Sequence, residues 1–400
     1  MNKYDSLKSF LKKTPGIRAL GTKYRQCREV WRINWEQNHY EKTAKKLGVS
    51  DNPSLKEIKR QVKHKLKKRN IFVNKKSRED LRLIYASCPI PWDSHNIVPA
   101  LDKYADVVVY YYSKYGFEFA DPDWVNTREA MNAHFIEFVK EAHKKKPVDM
   151  VLTYFGGYRV SPRTIETINN MGIVTASFHL DDRLSFRGEM AGGRWTGPVD
   201  LCGIYDLNLT QAPESLVKYR SEGGIALLWP LAANQDFFYP REVPFRYDVS
   251  FLGSAHGERK PFIKWLRRNG VNVEAFGAGW DNGFVPNEKV PDIFSSSRIN
   301  LNFGDIGYTR YQCGKCRDFE IPMSGGLMLT THNEHLAEYF DIDKEVFTFR
   351  NRAECLSQIR RLLGDEGLCV RARKLARERS LKEHSWEHRV SFLLEVIGFR

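Results

Sequence analysis

Lys315-Cys316-Arg317-Asp318-Phe319-Glu320-Ile321-Pro322-Met323-Ser324-Gly325-Gly326-Leu327-Met328-Leu329-Thr330 decides the reading of this chain. The run predicts a helix over 314–323, a Gly pair, and an apolar strand over 326–330, which together make half of a parallel α/β unit. Two cations, Lys315 and Arg317, stand at the start of the helix. Cations beside a helix end and Gly-rich backbone (Gly325, Gly326) hold a diphosphate well, because outward N–H groups bind anions and no Cβ blocks approach. One turn on, Glu320 offers acceptors to vicinal hydroxyls such as those of a ribose. The combination points to a nucleotide-diphosphate site.

The same alternation extends in both directions. Strands are predicted at 81–87, 106–112, 149–155, 173–178, 208–210 and 226–229, with helices at 96–104, 127–144 and 162–170 between them. A turn-rich stretch at 231–244, with Pro240, reads as a hinge. A second series follows, with strands at 247–252, 271–276, 299–303, 326–330 and 346–349. The end is helical, over 353–363, 367–382 and 386–397. The fold class is α/β, with two Rossmann-like domains, and 400 residues exceed what one core usually holds. The boundaries read as a basic, mostly helical extension over 1–79, a first Rossmann-like domain over 80–238, a second over 239–382, and a terminal helix over 383–400 packing back on the first.

Net charge is +14, and its location is informative. Residues 1–80 hold 23 Lys and Arg against 8 Asp and Glu, while the other 320 residues are nearly balanced. The densest part is Lys63-His64-Lys65-Leu66-Lys67-Lys68-Arg69. Such a run is either a solvated helix face or a docking element for an anionic surface. Trp31 and Trp35 lie one turn apart, and Leu7, Phe10 and Leu11 share a face, as in an interfacial helix or one packed on the body. An anionic membrane surface met through residues 1–78 is the expected partner, and nucleic acid the less favoured one. The seven cysteines are odd in number and scattered, as in a reducing compartment. Met1 to Phe10 lacks a signal-peptide apolar stretch, and no apolar run approaches the roughly 20 residues of a membrane span. The expected location is cytoplasmic, peripheral on the inner face of the membrane.

Five segments in order then carry a resemblance: Asp248-Val249-Ser250-Phe251-Leu252-Gly253-Ser254, Phe276-Gly277-Ala278-Gly279-Trp280, Arg298-Ile299-Asn300-Leu301-Asn302-Phe303, the 315–330 run, and His384-Ser385-Trp386-Glu387-His388-Arg389. The second half resembles the CgeB-like (spore-maturation) glycosyltransferases, relatives of the family-4 glycosyltransferases with the two-Rossmann GT-B fold. The resemblance implies hexosyl transfer from a nucleotide-diphosphate sugar, without cofactor or bound metal. The second domain would hold the donor and the first the acceptor: a glycan, a lipid-linked intermediate or a protein. Carried over by position, Glu320 would bind the ribose, and Arg259 and Lys315 the diphosphate, with Arg317 beside them. Amides around Thr330 and Thr331 would complete the phosphate cradle. Gly253, Ser254, Gly325 and Gly326 are donor-binding candidates beside them, and Phe276-Gly277-Ala278-Gly279-Trp280 reads either as aromatics that stack a base or as a packed strand exit. Family-4 enzymes usually carry another glutamate eight positions before the ribose glutamate. Here that position is Gln312, which leaves the donor-sugar contact and the stereochemical outcome open.

On the acceptor side, Phe178-His179-Leu180-Asp181-Asp182 leaves a strand where α/β sheets present ligand sites. Asp181 and His179 are the catalytic candidates, Asp181 as the group that takes the acceptor proton. Asp182 and the Gly156-Gly157 loop are acceptor-binding candidates. The competing readings are a helix cap or ion pair with Arg183, and a plain tight turn. Cys313 and Cys316 have redox spacing without a thioredoxin-like setting, so they read as incidental thiols. Two rival functions remain: a GT-B-shaped sugar-nucleotide epimerase, and a non-catalytic nucleotide- or nucleic-acid-binding protein.

Overall fold

The computed structural model describes residues 15–50, 53–88, 90, 93–119, 123–307, 309 and 311–400. Leu7, Phe10 and Leu11 lie outside the described residues, as does all of Met1 to Phe10. Thirteen strands occur among the described residues. They are β1 (Arg82–Ser87), β2 (Asp106–Tyr111), β3 (Met150–Tyr154), β4 (Val174–His179), β5 (Met190–Ala191), β6 (Arg194–Trp195), β7 (Leu207–Thr210), β8 (Ala226–Leu228), β9 (Tyr247–Leu252), β10 (Val273–Phe276), β11 (Ser297–Asn302), β12 (Met328–Thr331) and β13 (Phe347–Phe349).

They build two fully parallel sheets, ordered β2-β1-β3-β4-β7-β8 and β10-β9-β11-β12-β13. A small antiparallel hairpin, β5-β6, stands apart. Helices cover both faces of each sheet, so the central strands are buried throughout: all six residues of β4 are buried, and five of six in β1. This is the GT-B architecture of two Rossmann-like domains. In each sheet the order reverses once, beside β1 in the first and beside β9 in the second. Ligands of open α/β sheets bind beyond the carboxyl ends of the strands at such reversals. The topology therefore nominates the loops after β1 and β3, and those after β9 and β11.

The basic segment is less peripheral than its charge suggests. Ser54 caps the helix Leu55–Lys68 by accepting from the Glu57 amide. Ile58, Val62 and Leu66, spaced four apart, enter the core beneath the first sheet and beside the helix Trp386–Ile397. Lys65 donates to the Gly203 carbonyl at 2.7 Å, and Arg69 pairs with buried Asp206. One face of this helix packs against the first domain, leaving Lys63, His64, Lys67 and Lys68 exposed. The terminal helix is pinned by Trp386 (1% exposed), whose amide donates to Ala233, while Arg389 holds the Pro230 carbonyl at 3.0 Å. No helix among the described residues is long and apolar enough to cross a membrane.

Candidate active site

The reversal beside β9 opens a cleft of about 1190 Å³. Its walls come from the ends of four strands and the loops that follow them: His256 to Arg259 after β9, Phe303 and Asp305 after β11, Thr331 at the end of β12 with His332 after it, and Arg350 to Ala353 after β13. Arg259 opens the helix Arg259–Arg268 and is 9% exposed. Its guanidinium donates to the Ser254 and Phe303 carbonyls, both at 3.3 Å. Burial, and then the Arg317 charge, pull its pKa down to about 10, with Asp305 opposing. Among the described residues no carboxylate lies within ion-pairing distance of Arg259. A desolvated cation in this state is stabilised by an incoming anion.

Next to it, the helix of the opening run starts three residues later than its sequence predicts, over Arg317–Met323. Asp318 takes over the start: its carboxylate accepts from the Lys315 amide at 2.8 Å and from Asn302 Nδ2 at 2.7 Å. Arg317 Nε reaches Asn302 Oδ1 at 3.4 Å. Lys315 Nζ lies 2.9 Å from Cys313 Sγ. Burial pushes that thiol up to about 11, so it is neutral near pH 7 and a weak acceptor. Burial works against the Lys315 charge, but Cys313 and Asp181 outweigh it and leave its pKa raised. Asp181, exposed at the end of β4 in the other domain, is therefore its charged neighbour across the gap.

Glu320 is buried behind these cations. Burial lifts its carboxyl to about 7, against the Arg317 charge and a hydrogen bond from Asn96 Nδ2 at 3.0 Å. Asn96 belongs to the first domain, on the loop at that domain's own sheet reversal. Thr331 Oγ1 accepts from the Gly304 amide at 2.8 Å and donates to Gln312 Oε1 at 2.5 Å. Gln312 Nε2 donates in turn to Asp305 at 2.6 Å. Thr330, one residue earlier, points into the Asp318–Asn302 network instead.

Several nominated residues lie elsewhere. Gly325 and Gly326 end the helix: their amides donate to Pro322 and Ile321, both at 2.9 Å, and Gly325 takes φ +70°. The pair is a C-terminal cap and offers no free N–H to a phosphate. Trp280 is 9% exposed, packs on Phe251, and donates its indole N–H to the Gly253 carbonyl at 2.7 Å. Trp280 and Gly253 thus brace the loop after β9. Gly156 and Gly157 do meet backbone closely, but it is the chain's own: a Cβ on Gly157 would lie 2.2 Å from the Trp195 carbonyl oxygen. Asp182 is sealed, accepting from Ser215 Oγ at 3.2 Å and the Tyr219 hydroxyl at 2.8 Å. His179 is 8% exposed and held neutral by burial, which takes its pKa down to about 3. Both side chains are buried, whereas Asp181 between them in sequence is exposed. No group of three or more His, Cys, Asp or Glu side chains is arranged as a metal site among the described residues.

Asn96, Asp305, Arg350 and His332 escaped the sequence reading. Asp305 had a signal, since it lies just beyond the end of a predicted strand. Arg350, whose Nη2 lies 3.0 Å from His332 Nε2, had a similar one after β13.

Residues 259–395 match the model of the family described as "Glycosyl transferase-like". No curated protein matches the sequence. The chain is similar in structure to a sucrose-phosphate synthase from Thermosynechococcus elongatus, at 11% identity over 79% of this chain and 98% of that one, with a TM-score of 0.55. It is also similar to Anabaena HepE in complex with UDP and glucose, at 10% identity over 79% and 99%, TM-score 0.52. A glycosyltransferase from Rickettsia africae aligns at 12% identity over 80% and 98%, TM-score 0.50. A structure under a UDP-N-acetylglucosamine 2-epimerase name aligns at the same level, so the fold alone does not separate transfer from epimerisation. The chain thus has the GT-B fold, and its residues 259–395 match the glycosyl transferase-like family.

Proposed function

We propose that this protein transfers a hexose from a nucleotide-diphosphate sugar to an acceptor hydroxyl, without a metal or cofactor. The observation that carries the reading is buried Arg259, which faces the cleft without a carboxylate partner and has the Arg317 charge beside it. As the bond from the sugar anomeric carbon to the diphosphate breaks, negative charge grows on the leaving group. Arg259, Arg317 and Lys315 stabilise it where it develops. Glu320, oriented by Asn96, accepts from the ribose hydroxyls. Asp181, across from Lys315, takes the proton of the acceptor hydroxyl as its oxygen bonds to the anomeric carbon.

The acceptor side carries a second part of the proposal. On the helix Pro15–Leu47, Tyr24, Trp31 and Trp35 are 69%, 64% and 44% exposed, with Lys42, Lys45 and Lys46 also exposed. Aromatic and basic side chains together suit an anionic lipid interface, consistent with a lipid-linked or envelope glycan acceptor. Because the helix Leu55–Lys68 is part of the core, deleting residues 1–78 would unfold the chain; Trp31→Ala/Trp35→Ala is the cleaner variant. It should lose sedimentation with phosphatidylglycerol vesicles at low salt. Unchanged sedimentation, or equal binding to RNA, overturns the membrane assignment.

A thermal-shift screen of UDP-, GDP- and ADP-linked sugars tests the donor site, since a ligand of the native state raises the melting temperature. No shift with any of them removes the transferase reading. Incubation with a shifting donor alone then separates slow hydrolysis, expected of a transferase, from isomerisation, expected of an epimerase.

A further inference from the structure

The long helix at the start of the described chain, Pro15–Leu47, lies outside both parallel sheets and outside the residues that match the glycosyl transferase-like family. At roughly 1.5 Å per residue it is about 50 Å long, enough to reach beyond one domain. Its second half is fixed to the first domain. Ile33, Tyr40 and Ala44 are buried, and the Tyr40 hydroxyl donates to Glu222 at 2.7 Å while accepting from Arg187 Nε at 2.9 Å. Glu36 forms a buried ion pair with Lys218 at 2.9 Å.

Its middle turns, from Gln26 to Asn34, also meet the other domain. The Tyr311 hydroxyl donates to Asn34 Oδ1. The Glu29 carboxylate sits against Gly307, where an added Cβ would meet Oε2 at 2.5 Å. Gln26 and Val30, four apart and so on one face, line the cleft that holds Arg259, Asp305 and Thr331. A helix anchored on the first domain therefore forms one wall of a cavity whose other walls belong to the second.

We infer that Gln26 and Val30 are donor-contacting residues that set which nucleotide-sugar the cleft accepts. The inference rests on the reading of that cleft as the donor site. The chemistry of the wall limits what it can touch. Its lining residues bring an amide, which both donates and accepts, and an isopropyl group, with no cation among them. They suit the uncharged part of the donor, hydroxyls or a base edge, and not the diphosphate opposite Arg259. Because the wall is fixed to one domain and the cleft to the other, the site is complete only with the two domains in register.

The test uses the full chain with UDP-glucose, UDP-N-acetylglucosamine and GDP-mannose as probes, measured by calorimetry. Gln26→Ala/Val30→Ala should weaken the best-bound probe by about five-fold or more, roughly the value of one hydrogen bond with its packing. Val30→Trp, which fills the cleft from that side, should change the ranking among the three probes. Asn38→Ala, exposed on the same helix and away from the cleft, should change neither. Arg259→Ala separates the two levels of argument. If it weakens binding while both helix variants bind as the parent chain does, the helix inference is overturned and the donor site stands. If it too leaves binding unchanged, or if the parent chain binds no probe, the cleft is not the donor site and the inference falls with it.

Discussion

Asn96 Nδ2 donates to the Glu320 carboxylate at 3.0 Å, joining two residues 224 positions apart in the chain and on different domains. Asn96 is itself held, because its Oδ1 accepts from the Asn234 amide at 3.0 Å. The carboxylate nominated for the ribose is therefore positioned by the first domain, from the loop that follows β1.

Glu320 should make stability depend on pH. Its carboxyl has a pKa of about 7 in the fold against an ordinary 4.5, because burial disfavours the charged form. For a raised carboxyl, the folded state is unpenalised below the unfolded pKa, and stability falls as pH rises through the folded value. The separation converts to about 3 kcal/mol above pH 7. Glu320→Gln removes that cost and should raise the urea midpoint at pH 8 with little change at pH 4.5. Equal midpoint shifts at both pH values would show that packing, not charge, governs the site. If the ionised carboxylate receives the ribose hydroxyls, donor affinity should also rise with pH through about 7 in the parent chain and stay flat in Glu320→Gln.

The cations make a separate prediction. A charge-assisted hydrogen bond contributes about 1.5–3 kcal/mol, so Arg259→Ala and Glu320→Ala should each weaken nucleotide-sugar binding by about ten-fold or more. Cys313→Ser should not, because the thiol is a neutral neighbour of Lys315. Calorimetry on the three variants checks this, and equal affinity in all of them would remove the assignment.

What the sequence could and could not disclose follows from range. Strand and helix bounds depend on local periodicity, and β9 over Tyr247–Leu252 and the last helix over Trp386–Ile397 coincide with their predicted limits. The Gly325-Gly326 pair shows where local reading ends, since a helix cap and a phosphate loop share the same letters. Only the partners of the two amides distinguish them. The placement of the helix Pro15–Leu47 depends on Lys218 and Glu222, which lie about 180 residues downstream, and no periodicity reports that. Asp181 and Asp182 are adjacent in sequence, yet the first is exposed and the second is sealed by Tyr219 and Ser215, which local periodicity does not report.

Gly157 provides a test that distinguishes a structural glycine from a substrate-facing one. A Cβ there would lie 2.2 Å from the Trp195 carbonyl oxygen and 2.9 Å from that of Gly197, both backbone atoms that cannot swing aside. Gly157→Ala should cost about 1–3 kcal/mol of stability through displacement of the hairpin β5-β6. Donor affinity, measured below the lowered melting temperature, should be unchanged. Normal stability with lost transfer activity would instead return Gly157 to the acceptor site.

The ion pair between Lys218 and Glu36 should decide whether the long amino-terminal helix stays on the body. Lys218 is fully buried and Glu36 nearly so, and Lys218 Nζ also donates to the Arg183 carbonyl at 3.2 Å. Removing one member of such a pair leaves a charge without solvent or partner, at a typical cost of about 3–5 kcal/mol, whereas replacing both with apolar groups is often near neutral. Lys218→Met should therefore lower the urea midpoint strongly, and adding Glu36→Leu should restore most of it. Trp31 and Trp35 lie on the same helix, stacked at 6.2 Å, so the difference in fluorescence between a chain that keeps them and one carrying Trp31→Phe/Trp35→Phe follows its release apart from the other seven tryptophans. Release at lower urea in the single variant, reversed in the double, assigns the effect to the unpaired carboxylate. A double variant as weak as the single one would assign it to the shape of the Lys218 side chain in the core.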